Sequence, residues 1–255
     1  MTGTLHTSAP ILNTRCPYDP LTPKPLPGIA PLDAAHWLQA NEAYAAQLAE
    51  KSRLLRTRRD DVVWLDPAHL GAAQELLDTV LTMLPEGFAR DGESVLCPDG
   101  RRVTPDRSDP LGTLGALVQE DLCLMVKDGA EHVLRGAILC FPASWTLAEK
   151  AGRPLTGIHT PVRPYDAALA ARVQRLFDGI RAGRPLWRFN AFWYHDPALF
   201  QPRREAAPRD VTNPAAAGYL RSERQCLLRL PASGAVVFSI HTYVLPRAAL
   251  TATPA

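Results

Sequence analysis

The sequence predicts an α+β protein: an antiparallel five-stranded sheet with helices over one face, preceded by an N-terminal helical extension. Three observations predict it. Two apolar runs, residues 122–127 and 133–141, flank Asp128-Gly129, a dipeptide that favours a tight hairpin turn. Residues 166–180 place Leu169, Val173, Leu176, Phe177 and Ile180 on one side of an amphipathic helix. An aromatic run at 186–194 is followed by a second pair of apolar runs, 225–230 and 235–245, joined by Pro231-Ala232-Ser233-Gly234. Two strands, a few helices and three more strands therefore form one sheet that closes through a helical insertion.

The elements follow in order. The first 31 residues hold seven of the 24 prolines, and proline removes a donor and blocks helix interiors, so 1–31 reads as an extended arm laid over the body. Asp33 is placed to cap a helix over 34–58, where Trp37, Leu38, Tyr44, Leu48 and Leu55 recur at helical spacing. Asp66-Pro67 starts a second helix, with Asp66 as cap and proline in the first turn, that ends before Pro85. Residues 88–110 are rich in Gly, Pro, Asp and Arg and read as loop, and 111–118 as a short helix. The segment 32–110 is expected to pack as a helical extension on a core of 111–250, the whole forming one folded unit. Residues 145–150 read as one or two helical turns ended by Gly152, and 196–218 as a polar loop. In the last strand Val236, Phe238, Ile240 and Val244 share one face, while Ser239, His241 and Tyr243 share the other.

Composition excludes several classes. A formal charge of +2, from 28 basic and 26 acidic residues, gives no electrostatic reason to bind nucleic acid or an acidic membrane surface. The basic runs at 56–59 and 203–204 read as solvated surface. No stretch approaches the ~20 apolar residues that cross a bilayer. The N-terminus lacks a secretory pattern, so a cytoplasmic location is expected. Five cysteines, Cys16, Cys97, Cys123, Cys140 and Cys226, are widely spaced without a Cys-x-x-Cys pair, and read as reduced thiols, mostly in the core. Neither an iron–sulfur cysteine cluster nor a Gly-x-Gly-x-x-Gly dinucleotide turn is present.

Several ordered segments carry a resemblance. They are residues 37–44, Val118-Gln119-Glu120-Asp121-Leu122, Phe141-Pro142-Ala143-Ser144-Trp145, Glu149-Lys150-Ala151-Gly152-Arg153, Ile158-His159-Thr160-Pro161-Val162, Arg188-Phe189-Asn190, Ser222-Glu223-Arg224-Gln225, Leu228-Arg229-Leu230-Pro231 and Phe238-Ser239-Ile240-His241-Thr242-Tyr243. Together, from about residue 31 to 246, the chain resembles the haem-dependent oxidative N-demethylase alpha subunits. The resemblance implies a PAS-like haem-binding fold and a monooxygenase-type oxidation of a small secondary amine such as dimethylamine. It implies haem b in this chain, O2 as oxidant, and electrons that begin at NADPH and pass through FMN and a 2Fe-2S centre on separate reductase subunits. One departure is visible: Trp is expected after Arg188-Phe189-Asn190, but Ala191 follows, with Phe192 and Trp193 beyond it. A haem-PAS module that senses a gas or binds a small molecule without catalysis is the alternative.

Candidate site residues follow. A haem iron needs a neutral imidazole aimed from a held backbone. On the residues alone His159 reads as a hydrogen-bonded loop histidine, and the resemblance makes it the iron ligand. Of its rivals, His132 lies beside a hairpin turn and is expected exposed, His195 ends a strand at the surface, and His241 sits within a strand. Glu223 is the candidate catalytic carboxylate for a protonated amine, or else a salt-bridge partner of Arg221 or Arg229. It and Arg224 are adjacent on a strand and so point to opposite faces. Arg224, Arg188, Lys150 and Arg153 are each either a partner for haem propionates or a surface charge. Trp145, Trp187, Phe189, Phe192 and Trp193 wall a flat cofactor or form plain core. Glu120-Asp121 reads as a cap or turn.

Overall fold

The computed structural model describes residues 9–22, 28–159, 167–208 and 212–251. In chain order its elements are β1 (Ala30–Pro31), α1 (Tyr44–Thr57), α2 (Arg59–Val62), β2 (Val63–Leu65), α3 (Leu70–Thr82), β3 (Ala89–Asp91), β4 (Ser94–Leu96), β5 (Arg102–Val103), α4 (Pro110–Leu117), β6 (Asp121–Asp128), β7 (Glu131–Ile138), α5 (Leu155–His159), α6 (Ala167–Gly179), β8 (Leu186–Tyr194), β9 (Tyr219–Arg229), β10 (Val236–Pro246) and α7 (Arg247–Thr251).

The main sheet is antiparallel and has seven strands among the described residues, in the order β1-β8-β9-β10-β6-β7-β2. The five long strands that the sequence predicts are the contiguous centre of it. The two extra strands are short edge pieces: β1 pairs with Leu186 and Trp187, and β2 pairs with Gly136 to Ile138. Two or three residues carry no alternation, so periodicity cannot find them. The predicted loop at 88–110 holds a second, three-stranded sheet, β3-β4-β5, for the same reason. The Asp128-Gly129 hairpin forms as expected, with Asp128 opposite Glu131 and Gly129 at φ 57°, where a Cβ would be strained.

The predicted helix over 34–58 is interrupted. Asp33 does cap a turn, accepting from the Ala35 N–H at 3.0 Å, but that turn is a 3-10 helix of three residues, and α1 begins only at Tyr44. Between them the chain opens over the sheet because buried side chains take up its backbone groups. The Gln39 N–H donates to Glu120 Oε1 at 3.0 Å and the Asn41 N–H to Gln119 Oε1 at 3.0 Å. Arg224 donates to the Trp37 carbonyl at 2.9 Å and the His36 carbonyl at 2.6 Å. Each bond substitutes for one that a continuous helix would make. The predicted turns at 145–150 are hydrogen-bonded, with the Leu147 carbonyl accepting from Lys150 and Ala151, but build no helix.

Side-chain alternation divides the sheet into two buried faces. Leu122, Leu124, Ile138, Leu228 and Val237 pack with Leu48 and Leu54 of α1, Leu76 and Leu77 of α3, and Leu111 and Leu114 of α4. Cys123, Met125, Leu134, Leu227 and Val236 pack with Leu155 of α5 and with Phe177 and Ile180 at the end of α6. The N-terminal extension thus covers the first face and α5 and α6 the second. The arm joins the first face: Asn13 and Val244 exchange hydrogen bonds of 2.7 and 3.0 Å, and the Tyr18 ring stacks on Phe189 at 4.5 Å. All five cysteines are free and four are buried, and burial pushes the Cys226 thiol up to about 11. None of the described helices is long and apolar enough to cross a membrane.

Candidate functional site

The second face changes character along β8, β9 and β10. Leu186 stands opposite Leu227, Arg188 opposite Gln225 and Asn190 opposite Glu223. On the other side of β9, Gln225 stands opposite Ile240 and Glu223 opposite Thr242. Directly opposed residues project to the same face. An apolar surface of Leu186, Leu227, Phe238 and Ile240 therefore runs into a polar group made of Arg188, Asn190, Glu223, Gln225 and Thr242.

The electrostatics of this group are incomplete. Glu223 is only 8% exposed. Its Oε2 accepts from Asn190 Nδ2 at 3.2 Å and Gln225 Nε2 at 3.3 Å. Its Oε1 meets only the Arg221 guanidinium, at 3.6 Å. That guanidinium is committed to the Leu199 carbonyl at 2.9 Å and the Phe141 carbonyl at 2.5 Å. Arg229 bonds to the Phe177, Ile180 and Gly234 carbonyls, leaving Arg221 as the closer partner. Arg188 has a buried Nε without a hydrogen-bond partner, and burial pulls its guanidinium below the usual arginine pKa. Thr242 Oγ1 is buried and unpartnered as well. Native interiors rarely leave such groups unmatched; ten such atoms occur among the described residues, and Arg188 and Thr242 set two of them on the face that carries Glu223.

The other predicted residues distribute as follows. His159 ends α5, and its side chain lies outside the described residues, as do residues 160–166. Lys150 is buried and donates to the Ile158 carbonyl at 2.6 Å and to Glu205 at 2.6 Å, while Arg153 approaches Glu205 at 3.4 Å. The Lys150 ammonium holds the Glu205 carboxyl below the usual carboxylate range. Trp145 packs at the rim of the second-face core. Arg224 is on the first face, bound to the two carbonyls named above and set over the Trp187 ring at 5.6 Å, so it faces away from Glu223. Trp187 and Phe189 lie under Tyr18 on the first face, Phe192 is 58% exposed, and Trp193 stacks on Arg247 at 3.8 Å.

Two expectations are corrected. His132 is not exposed but fully buried, because Phe177 and Gln174 of α6 close over the hairpin end. Its Nδ1 lies 2.9 Å from Gln174 Nε2 and its Nε2 has no partner. Burial is the main cause that lowers its pKa; Asp178 opposes this, and Lys127 and Arg229 reinforce it. A depressed histidine pKa means the unfolded chain takes up the proton first, so this stability is present above the ordinary value of 6.5 and lost as the pH falls below it. The slope from this one group approaches about 1.4 kcal/mol per pH unit. Denaturant unfolding between pH 8 and 5 should show a shallower fall for His132→Gln than for the native chain.

Glu120-Asp121 is no turn. Asp121 accepts from the Cys140 N–H at 3.0 Å and the Phe141 N–H at 2.7 Å, and Lys51 pairs with it at 3.0 Å. Glu120 Oε1 meets His241 Nδ1 at 2.9 Å, and His241 Nε2 meets Asn41 at 2.9 Å. This network, buried except for the half-buried Asn41, joins α1, β6 and β10, and it commits both nitrogens of His241 on the first face. A separate open cleft of about 230 Å³ is lined by Arg58, Asp61, Pro142, Leu147, Phe200 and Arg204. It offers volume, but its charges are exposed and include an Arg58–Asp61 pair at 3.4 Å. The unpaired buried groups on β8–β10 are the stronger sign of a site.

The α+β body has both sheet faces covered, and one of them sets a guanidinium with an unpartnered Nε, an unpartnered hydroxyl and a carboxylate together, an arrangement that suits a small polar ligand. The chain belongs to the haem-dependent oxidative N-demethylase, alpha subunit-like family, whose model matches residues 28–255. The match starts just before β1 and takes in the helical extension. The second face fits haem in chemistry: apolar side chains for the ring and an unpaired guanidinium for a propionate.

Proposed function

We propose that this chain is the haem-binding, amine-oxidising subunit of a multi-subunit demethylase. The contiguous block β7-β6-β10-β9-β8 with helices over its second face supports a PAS-like core. The observation that carries the reading is the half-buried Arg188, with its buried Nε unpartnered, on the same sheet face as the nearly buried Glu223.

In this reading His159 ligates the iron of haem b and Arg188 meets a propionate. Lys150 and Arg153 act at one remove: Lys150 holds the Ile158 carbonyl at the end of α5, and Glu205 joins Arg153 to Lys150. Trp145 closes the apolar side. When bound, haem supplies dioxygen and one-electron chemistry that no side chain provides. Glu223 receives the protonated amine, its other oxygen being held by Asn190 and Gln225. Covered sheet and helices exclude water around that ion pair and so strengthen it. A secondary methylamine, O2, two electrons and two protons balance against an aldehyde, the shorter amine and water. Arg224 stays with the first face. The electrons come from separate flavin and iron–sulfur subunits, and the assembly works in the cytoplasm.

The test is a visible spectrum of protein produced with ample haem. A Soret band that shifts on adding dimethylamine is expected. His159→Ala should lose or strongly displace that band. Glu223→Gln should keep it but weaken the amine response about 30- to 100-fold, the worth of a buried charge-assisted bond. A protein that stays colourless with haem supplied would sink the proposal.

A further inference from the structure

We propose that Thr242 is a specificity residue: its hydroxyl is the second acceptor for the ammonium held by Glu223, and the pair selects cations carrying at least two N–H bonds. This rests on the amine site proposed above.

Thr242 is 1% exposed, and its Oγ1 has no hydrogen-bond partner. It stands directly opposite Glu223 in the β9–β10 ladder, so both side chains leave the same face with Cβ atoms about 5 Å apart. That spacing suits two acceptors on one small cation. The carboxylate is half committed: Asn190 and Gln225 donate to Oε2, while Oε1 has only the 3.6 Å ion pair with Arg221, whose guanidinium is already bonded to two carbonyls. An Oε1 that accepts no hydrogen bond and an unpartnered hydroxyl thus come from neighbouring positions on one face. The hydroxyl oxygen accepts through its lone pairs. A dialkylammonium ion has two N–H donors, one for each acceptor. A trialkylammonium ion has one, and it would bring a third alkyl group against an unsatisfied hydroxyl. Strand preference accounts for a β-branched residue here but not for a buried hydroxyl, which no bond within the fold uses among the described residues.

The experiment is calorimetric titration of haem-supplied protein with dimethylamine and with trimethylamine, read beside the unfolding midpoint. Thr242→Val keeps the shape and removes the hydroxyl. It should bind dimethylamine about tenfold more weakly, the value of one lost bond to a charged group. Trimethylamine binding should hold, so the preference collapses, and the unfolding midpoint should not fall. Thr242→Ser should keep the preference. Equal weakening of both amines, no weakening of either, or a lowered midpoint with unchanged preference would overturn the role of Thr242. Glu223→Gln separates the two levels. If it leaves both amines unaffected, the amine site itself fails. If it weakens both while Thr242→Val weakens neither, only the specificity role fails.

Discussion

Asp121→Ala should destabilise the protein by about 3–5 kcal/mol, because it strands a buried lysine. The Lys51 ammonium and the Asp121 carboxylate are 0% and 1% exposed and 3.0 Å apart. Without Asp121, Lys51 keeps the Glu120 carbonyl at 2.6 Å and the Phe141 ring at 5.5 Å, neither of which neutralises it. The Cys140 and Phe141 N–H groups lose their acceptor in the same stroke. Lys51→Met is the milder cut, at about 1–2 kcal/mol, since the carboxylate retains two backbone donors and the methionine fills the space. For a chain this long the first change lowers the unfolding midpoint by roughly 10 °C. Paired denaturation curves decide it. If Lys51→Met proved the worse of the two, the carboxylate would not be the anchor described.

Arg188→Met should act in opposite directions on two measurements. In the haem-free chain a half-buried guanidinium with an unpartnered Nε is a burden, so its removal should not lower stability and should raise it slightly. With haem bound, the same change removes a charge-assisted contact of about 1.5–3 kcal/mol. Haem transfer to excess apomyoglobin should then run about 10- to 100-fold faster. Arg188→Lys should fall between, as a point charge without the planar fork. Loss of stability with unchanged haem retention would identify Arg188 as structural instead.

The sequence made the long elements legible and the short ones not. The five strands with sustained apolar patterning and helix α6 emerge from periodicity alone. The edge pieces β1 and β2 do not, because they are two or three residues long and fixed by partners distant in sequence, and the small β3–β5 sheet does not, because its strands are too short to show alternation. The break before α1 was hidden for a different reason: Glu120, Gln119 and Arg224 satisfy that backbone from far along the chain. Alternation correctly set Glu223 and Arg224 on opposite faces. It could not tell which cation would stay unpaired, since the carbonyls that occupy Arg224 belong to residues 36 and 37. Asn190, Gln225 and Thr242 were missed because neutral polar residues on a strand give no sign until the register aligns them. His132 looked exposed because a hairpin turn is normally wet, and α6 covers it.

The carboxylate of Glu205 ties the irregular stretch before β9 to Lys150 and Arg153, and its N–H bonds Glu149 at 3.1 Å, while Gln201 and Pro142 are joined through the backbone. Residues 195–208, which form no helix or strand among the described residues, are thereby clamped at several points to the segment leading into α5. These residues should therefore resist limited proteolysis until the body itself unfolds.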